Sequence, residues 1–110
     1  MFYVKKRLEI SGAHQLSLGY QSKCENLHGH NWIIEIYCKS ETLNLDGMVI
    51  DFSEIKKLIH DALDHKNLNE VFVFNPTAEN IAKWICLRVP HCYKVSVQET
   101  EGNEAVYVVE

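Results

Sequence analysis

The chain has 110 residues, 46% of them apolar, and a formal net charge of -4. This length fits a single domain, residues 1–110, and the acidic balance argues against nucleic acid as a partner, because nucleic-acid surfaces are normally basic. No apolar stretch approaches the ~18 residues that a membrane span needs. Charged residues also follow the N-terminus too closely for a signal peptide. We therefore expect a cytoplasmic protein with no membrane partner.

Alternating apolar and polar residues predict the first two strands. Apolar side chains occupy the even positions from Phe2 to Ile10, interrupted only by Lys6, and a second alternation runs from Trp32 to Cys38. The segment Gln15–Leu27 between them is too long for a tight turn, so it is a candidate functional loop.

Apolar residues at helical spacing then predict two consecutive helices. The first runs from about Phe52 to Leu63, with Asp51 as a candidate N-cap. The second opens at Pro76–Glu79 and ends before Pro90.

The C-terminal segment alternates again and predicts a hairpin that turns at Gly102 and Asn103. The order of elements is strand, strand, helix, helix, strand, strand. No helix follows each strand in turn, so the pattern favours an α+β fold in which two helices cover one face of an antiparallel four-stranded sheet.

Three histidines have the spacing of metal ligands. His28 and His30 are two apart, so both imidazoles point to one face of a strand, and His14 shares the parity of the apolar side of the first strand. Antiparallel pairing of the two strands would bring the three rings together. Three imidazoles with an open fourth position are typical of a catalytic zinc site.

The cysteine upstream of these histidines has two possible roles. Cys24 is either a fourth ligand, which would make the zinc site structural, or a thiolate base beside the metal. The spacing is compatible with both. The four cysteines form no Cys-x-x-Cys pair and are expected to be reduced thiols.

Two further acidic groups have chemical context. Asp64 and His65 follow the first helix, where a carboxylate can hold an imidazole as a proton relay, although an exposed helix end is the simpler interpretation. Glu99 has the parity of Val95 and Val97 and is expected to point inward, where a carboxylate needs a partner or a ligand.

Several separate blocks together form a family pattern. They are Ala13–His14, Cys24–His30, Met48–Phe52, Leu63–Asn69, Pro76–Asn80 and Val97–Thr100. The chain resembles the 6-pyruvoyltetrahydropterin synthase family in these blocks. It is most similar to the 6-carboxytetrahydropterin synthase branch, because the pyruvoyl-forming branch usually has a longer gap between the cysteine and the first histidine.

The resemblance implies a role for each candidate residue. His14, His28 and His30 would bind zinc, Cys24 would accept a proton, and Asp64 with His65 would relay protons. Glu99, with Thr100, would hold the pterin. The implied fold is the tunnelling fold, in which subunits join their sheets into a barrel, and the implied assembly is a homohexamer.

The implied substrate is 7,8-dihydroneopterin triphosphate, and the implied product is 6-carboxytetrahydropterin, formed with release of acetaldehyde and triphosphate on the route to queuosine. Two alternatives stay open at the level of sequence. One is the pyruvoyl-forming lyase, and the other is a non-catalytic module with a structural zinc held by Cys24 and the three histidines.

Overall fold

Two long strands form the centre of the molecule. In the computed structural model, which describes residues 1–110, β1 spans Phe2–His14 and β2 spans His28–Ser40. They pair antiparallel along their full length, from Phe2 opposite Ser40 to His14 opposite His28. The alternation predicted both strands, and their pairing continues beyond the predicted ends into the histidine segment.

The first predicted helix is present but not regular. It consists of α1 (Phe52–Ile55), a π-helical turn at Lys56–His60, and α2 (Asp61–Leu63). Its start is capped as predicted, because a side-chain oxygen of Asp51 accepts a hydrogen bond of 2.8 Å from the backbone N–H of Ser53.

The sheet has five strands, so the prediction of four was wrong. The additional strand, β3, comprises Lys66–Asn67 and pairs parallel with β1 at Gly12 and Ala13. A short helix that the sequence pattern did not predict, α3 (Leu68–Val71), follows directly. With two and four residues, these elements do not repeat the strand and helix periods of about 2 and 3.6, so periodicity had no signal to detect.

The remaining elements follow the prediction. Helix α4 spans Ala78–Arg88, and a hairpin of β4 (Cys92–Thr100) and β5 (Asn103–Val108) completes the sheet in the order β3-β1-β2-β4-β5. Gly102 occupies the hairpin turn with a φ of 84°, a conformation that glycine adopts without steric cost. None of the helices is long and apolar enough to span a membrane.

The core lies between one face of the sheet and the helices. The even-numbered side chains from Leu8 to the end of β1 and from Trp32 to Cys38 in β2 are almost fully buried, as are the inward side chains of α4. These residues include Leu8, Ile10, Trp32, Ile34, Ile36, Ile81 and Ile85. The packing is tight at Gly12, where an added Cβ would lie 3.3 Å from both Leu68 and the Trp32 indole nitrogen. That nitrogen donates to the Gly12 carbonyl at 3.0 Å, so the indole anchors β1 beside the histidines.

Candidate metal centre and surrounding site

The three predicted ligand histidines converge at one end of the sheet. The ring centroids of His14 and His28 are 4.6 Å apart, those of His28 and His30 are 4.8 Å apart, and those of His14 and His30 are 5.2 Å apart. One ligand atom from each histidine and a carboxylate oxygen of Glu99 all lie within 4.8 Å of one another. The predicted convergence is therefore confirmed, and Glu99 joins the same group.

Backbone carbonyls orient two of the rings. His14 Nδ1 lies 2.8 Å from the Pro76 carbonyl oxygen, and His28 Nδ1 lies 2.6 Å from that of Asn26. A carbonyl oxygen only accepts hydrogen bonds, so Nδ1 carries the proton in both rings. In the neutral imidazole, Nε2 then presents a lone pair to the centre of the group, which is the form that binds metals.

The Nε2 atoms of His14 and His30 are buried and have no hydrogen-bond partner. Glu99 Oε1 lies 3.0 Å from His14 Nε2 and 3.4 Å from His30 Nε2, but neither contact has hydrogen-bond geometry. Lone pairs on nitrogen and on a carboxylate oxygen repel at this separation unless a cation lies between them. The donor set therefore fits a divalent metal such as zinc, which binds imidazole nitrogen and carboxylate oxygen.

The environment also disfavours a charged His30. Burial lowers the pKa of His30, and the neighbouring His14 and His28 lower it further, while the Glu99 carboxylate acts in the opposite direction. A neutral imidazole keeps its lone pair available at neutral pH.

The Cys24 thiol does not belong to the group of ligand atoms. Cys24 lies in a single 3-10 turn, Lys23–Glu25, and its carbonyl accepts a 2.7 Å hydrogen bond from the backbone N–H of Leu16. Its side chain is partly exposed and forms no disulfide. Cys24 is close in sequence to His28 and His30. The group of potential metal ligands (His14, His28, His30 and Glu99), called the metal group below, has four donors without it.

Asp64 and His65 are fixed against β1. The backbone N–H of Ser11 donates to Asp64 Oδ1 at 2.9 Å, and the backbone N–H of His65 donates to the Ser11 carbonyl at 2.7 Å. Asp64 Oδ2 lies 3.4 Å from His65 Nε2, so the two predicted relay residues are in contact. The His65 imidazole is 80% exposed and is therefore accessible to a substrate.

Two open cavities border the metal group. One of about 540 Å³ is lined by both His30 and His65, together with residues of β1, β2 and β3. The other, of about 410 Å³, is lined by Glu99, Glu79 and Glu104.

Glu99 points inward as its parity predicted. Thr100 is exposed, and its hydroxyl accepts a 2.8 Å hydrogen bond from the Asn103 side chain within the hairpin turn.

The sequence pattern did not predict two features of this site. One is the proximity of Glu99 to the imidazoles, because pairing between β2 and β4 cannot be read from either strand alone. The other is His60, whose Nε2 lies 3.4 Å from Asp64 Oδ2 although its context in the sequence indicated no chemistry. The spacing of four residues between His60 and Asp64 was the available signal.

An α+β fold that brings three imidazoles and an inward carboxylate together beside open cavities defines a class of small domain with a donor group that could hold a metal. The chain belongs to the 6-pyruvoyl tetrahydropterin synthase family, whose model matches residues 3–110.

Individual relatives carry several names within this family. The chain is 36% identical to the 6-carboxy-5,6,7,8-tetrahydropterin synthase of Synechocystis sp., covering 97% of this chain and 93% of the relative. It is 34% identical to human 6-pyruvoyl tetrahydrobiopterin synthase, covering 94% of this chain and 89% of the relative. The structure of Caenorhabditis elegans 6-pyruvoyl tetrahydropterin synthase superposes with a TM-score of 0.77 at 27% identity, covering 99% of this chain and 96% of the other.

Proposed function

We propose that this chain is a zinc-dependent carbon-carbon lyase, a 6-carboxytetrahydropterin synthase that acts in queuosine biosynthesis. Its substrate would be 7,8-dihydroneopterin triphosphate, which would react with one water to give 6-carboxy-5,6,7,8-tetrahydropterin, acetaldehyde and triphosphate. The observation that carries the proposal is the group of three imidazoles, two of which, His14 and His30, have a buried Nε2 with no hydrogen-bond partner.

His14, His28 and His30 would hold the zinc in this proposal. The bound metal would acidify the side-chain hydroxyls of the pterin and stabilise negative charge on them. Pro76 and Asn26 keep two of the rings in the tautomer that offers Nε2. Burial of His14, which has 0% exposure, excludes water from that ligand.

Glu99 would bind the amino-pyrimidine edge of the pterin. A carboxylate accepts two hydrogen bonds from such an edge, and Glu99 lines a cavity of about 410 Å³. Glu79 and Glu104 line the same cavity, so its negative charge would repel a triphosphate. The triphosphate would therefore extend away from this cavity, and the pterin ring would occupy it. Thr100 would contribute at its rim.

Cys24 would accept a proton from the substrate side chain, and Asp64 with His65 would relay protons. The exposed His65 imidazole is the member of the pair that reaches solvent, while Asp64 is held by the β1 backbone. An acid and a base in separate positions permit proton removal and return on different atoms of one substrate.

The product assay tests the reaction directly. We expect purified protein incubated with dihydroneopterin triphosphate and zinc to form 6-carboxytetrahydropterin and acetaldehyde, both identified by mass spectrometry. The pyruvoyl-forming lyase is the second candidate, since the human relative is almost as similar as the cyanobacterial one. A pyruvoyl product without acetaldehyde would contradict the branch assignment, which depends on the short gap between Cys24 and His28.

Zinc content of Cys24→Ala separates the lyase from a structural zinc module. Because the three imidazoles would hold the zinc without Cys24, the variant should keep its zinc and its fold but lose turnover. Loss of zinc with partial unfolding would contradict the catalytic role. His91→Asn provides a matched control, because His91 lies outside the site and asparagine tolerates its left-handed backbone.

We also propose that the chain assembles as a homohexamer. β3 pairs with β1 only at Gly12 and Ala13, so most of the outer edge of β1 is open, and β5 forms the opposite edge of the sheet. Open edges with exposed apolar residues such as Phe2 and Val106 favour pairing between copies. Such pairing would join the sheets into the barrel that the resemblance implies.

A further inference from the structure

The carboxylate of Asp64 is shared by two imidazoles. Its Oδ1 accepts the Ser11 backbone hydrogen bond, while its Oδ2 lies 3.4 Å from His65 Nε2 and also 3.4 Å from His60 Nε2. Asp64 therefore accepts one hydrogen bond through Oδ1, and its Oδ2 lies at ion-pair distance from both rings. The two rings differ in exposure, at 27% for His60 and 80% for His65, so His60 is the inner member.

The local backbone creates this arrangement. The π-helical turn Lys56–His60 ends at His60, and the backbone N–H of Asp64 still reaches the His60 carbonyl at 2.9 Å. Asp64 then leaves the helix in an extended conformation, and His65 adopts a left-handed one, with a φ of 58°. Single π-helical turns and left-handed non-glycine residues both occur preferentially at functional sites.

Other charged groups lie near the pair, and one of them, Lys66 on β3, lines the same cavity as His65. On the same helical segment, Asp61 Oδ1 lies 3.7 Å from His60 Nδ1. From α4, Arg88 reaches this segment through a hydrogen bond from Nε to the Leu58 carbonyl. From β1, the Ser11 amide lowers the pKa of Asp64 most, followed by the charges of His65 and His60. Asp64 is therefore a carboxylate at neutral pH and available to both rings.

We propose that His60 is a positioning residue for the Asp64–His65 pair. Its imidazole keeps Asp64 Oδ2 in place, so that the carboxylate charge acts on two imidazoles rather than on His65 alone. This inference rests on the relay role assigned to His65 under the proposed function. Without His60, the whole carboxylate charge would act on His65, which would hold its proton more tightly and release it to the reaction less readily.

The first test does not depend on activity. The titration of the His65 imidazole is followed by NMR in the wild type, His60→Leu and His60→Gln, and the signal is assigned with His65→Asn. We expect His60→Leu to raise the pKa of His65, and His60→Gln, whose amide can donate to Oδ2, to raise it less. The control His91→Asn should not change it. An unchanged His65 titration in folded His60→Leu would overturn the inference.

The second test measures turnover of dihydroneopterin triphosphate. His60→Leu should lose about tenfold in kcat, a part of the ~10² to 10⁴-fold that a positioned acid or base contributes, with KM unchanged and partial rescue in His60→Gln. A rise in KM at constant kcat would overturn the positioning role. If the wild type does not turn over the pterin but His65 still responds to His60, the proposed function fails while the shared carboxylate stands.

Discussion

His65 combines an uncommon backbone conformation with a chemically useful side chain. Its φ of 58° lies in the left-handed region, at the position after a helix end where glycine is usual. A β-carbon there costs about 1–2 kcal/mol, so a histidine at this position is unfavourable for the backbone alone. The imidazole is 80% exposed and in contact with Asp64, so it is placed to exchange protons in the proposed relay.

Replacement of His65 by glycine should therefore separate stability from activity. We expect His65→Gly to raise the free energy of unfolding by up to about 1 kcal/mol, because relief of the left-handed strain exceeds the added entropy of the unfolded chain. Turnover should fall sharply, since the relay imidazole is lost. Urea unfolding and the product assay measure the two effects. A clear loss of stability would show that the imidazole mainly supports the fold.

Asp64 should make stability depend on acid pH. The Ser11 amide, then His65 and His60, hold the pKa of Asp64 below its usual 3.8. A carboxylate whose pKa is lower in the folded state stabilises the fold above the unfolded pKa, and this stabilisation is lost as pH falls through the folded pKa.

The matched variant for this effect is Asp64→Asn, which keeps an acceptor for the Ser11 amide but carries no charge. The difference in free energy of unfolding between the wild type and Asp64→Asn should shrink as pH falls below about 4. Denaturant unfolding at a series of pH values measures it. A difference that persists unchanged to pH 2 would contradict the lowered pKa.

At the scale of elements, the start of α4 supports the metal group. The Thr77 hydroxyl accepts a hydrogen bond of 3.1 Å from the Asn80 backbone N–H and so caps the helix. The preceding residue, Pro76, provides the carbonyl that orients His14. Two asparagines nearby, Asn69 and Asn75, each both donate to and accept from the backbone of the loop after His14.

Removal of this cap should weaken both the fold and the metal site. We expect Thr77→Ala to lose about 1 kcal/mol in the free energy of unfolding, whereas Thr77→Ser, which keeps the hydroxyl, should lose little. Zinc affinity should fall in parallel in Thr77→Ala, because the Pro76 carbonyl is held less firmly. Unfolding curves measure the free energy of unfolding, and competition with a zinc chelator measures the zinc affinity. Equal behaviour of the alanine and serine variants would exclude capping as the cause.

At the scale of the whole molecule, the two edges of the sheet determine the expected assembly. We expect sedimentation equilibrium at micromolar concentration to give six times the 12.7 kDa mass of the chain. Val106→Lys, which places a charge on the β5 edge strand, should shift the distribution to smaller species. The matched control is Val73→Lys, since Val73 is fully exposed but lies outside the strands. A monomer in both the wild type and Val106→Lys would contradict the proposed hexamer.

The sequence by itself determined the long strands, both main helices, the hairpin and the face on which His14, His28 and His30 lie. Each of these depends on a local period or a cap within one segment, and such signals are present in the chain before it folds. Only the tertiary structure decided that β3 makes a fifth strand, that Glu99 meets the imidazoles across β2 and β4, and that His60 shares Asp64 with His65. The physical reason is that these contacts depend on strand register and on two backbone irregularities, the π-helical turn and the left-handed His65, which packing selects and no local pattern specifies.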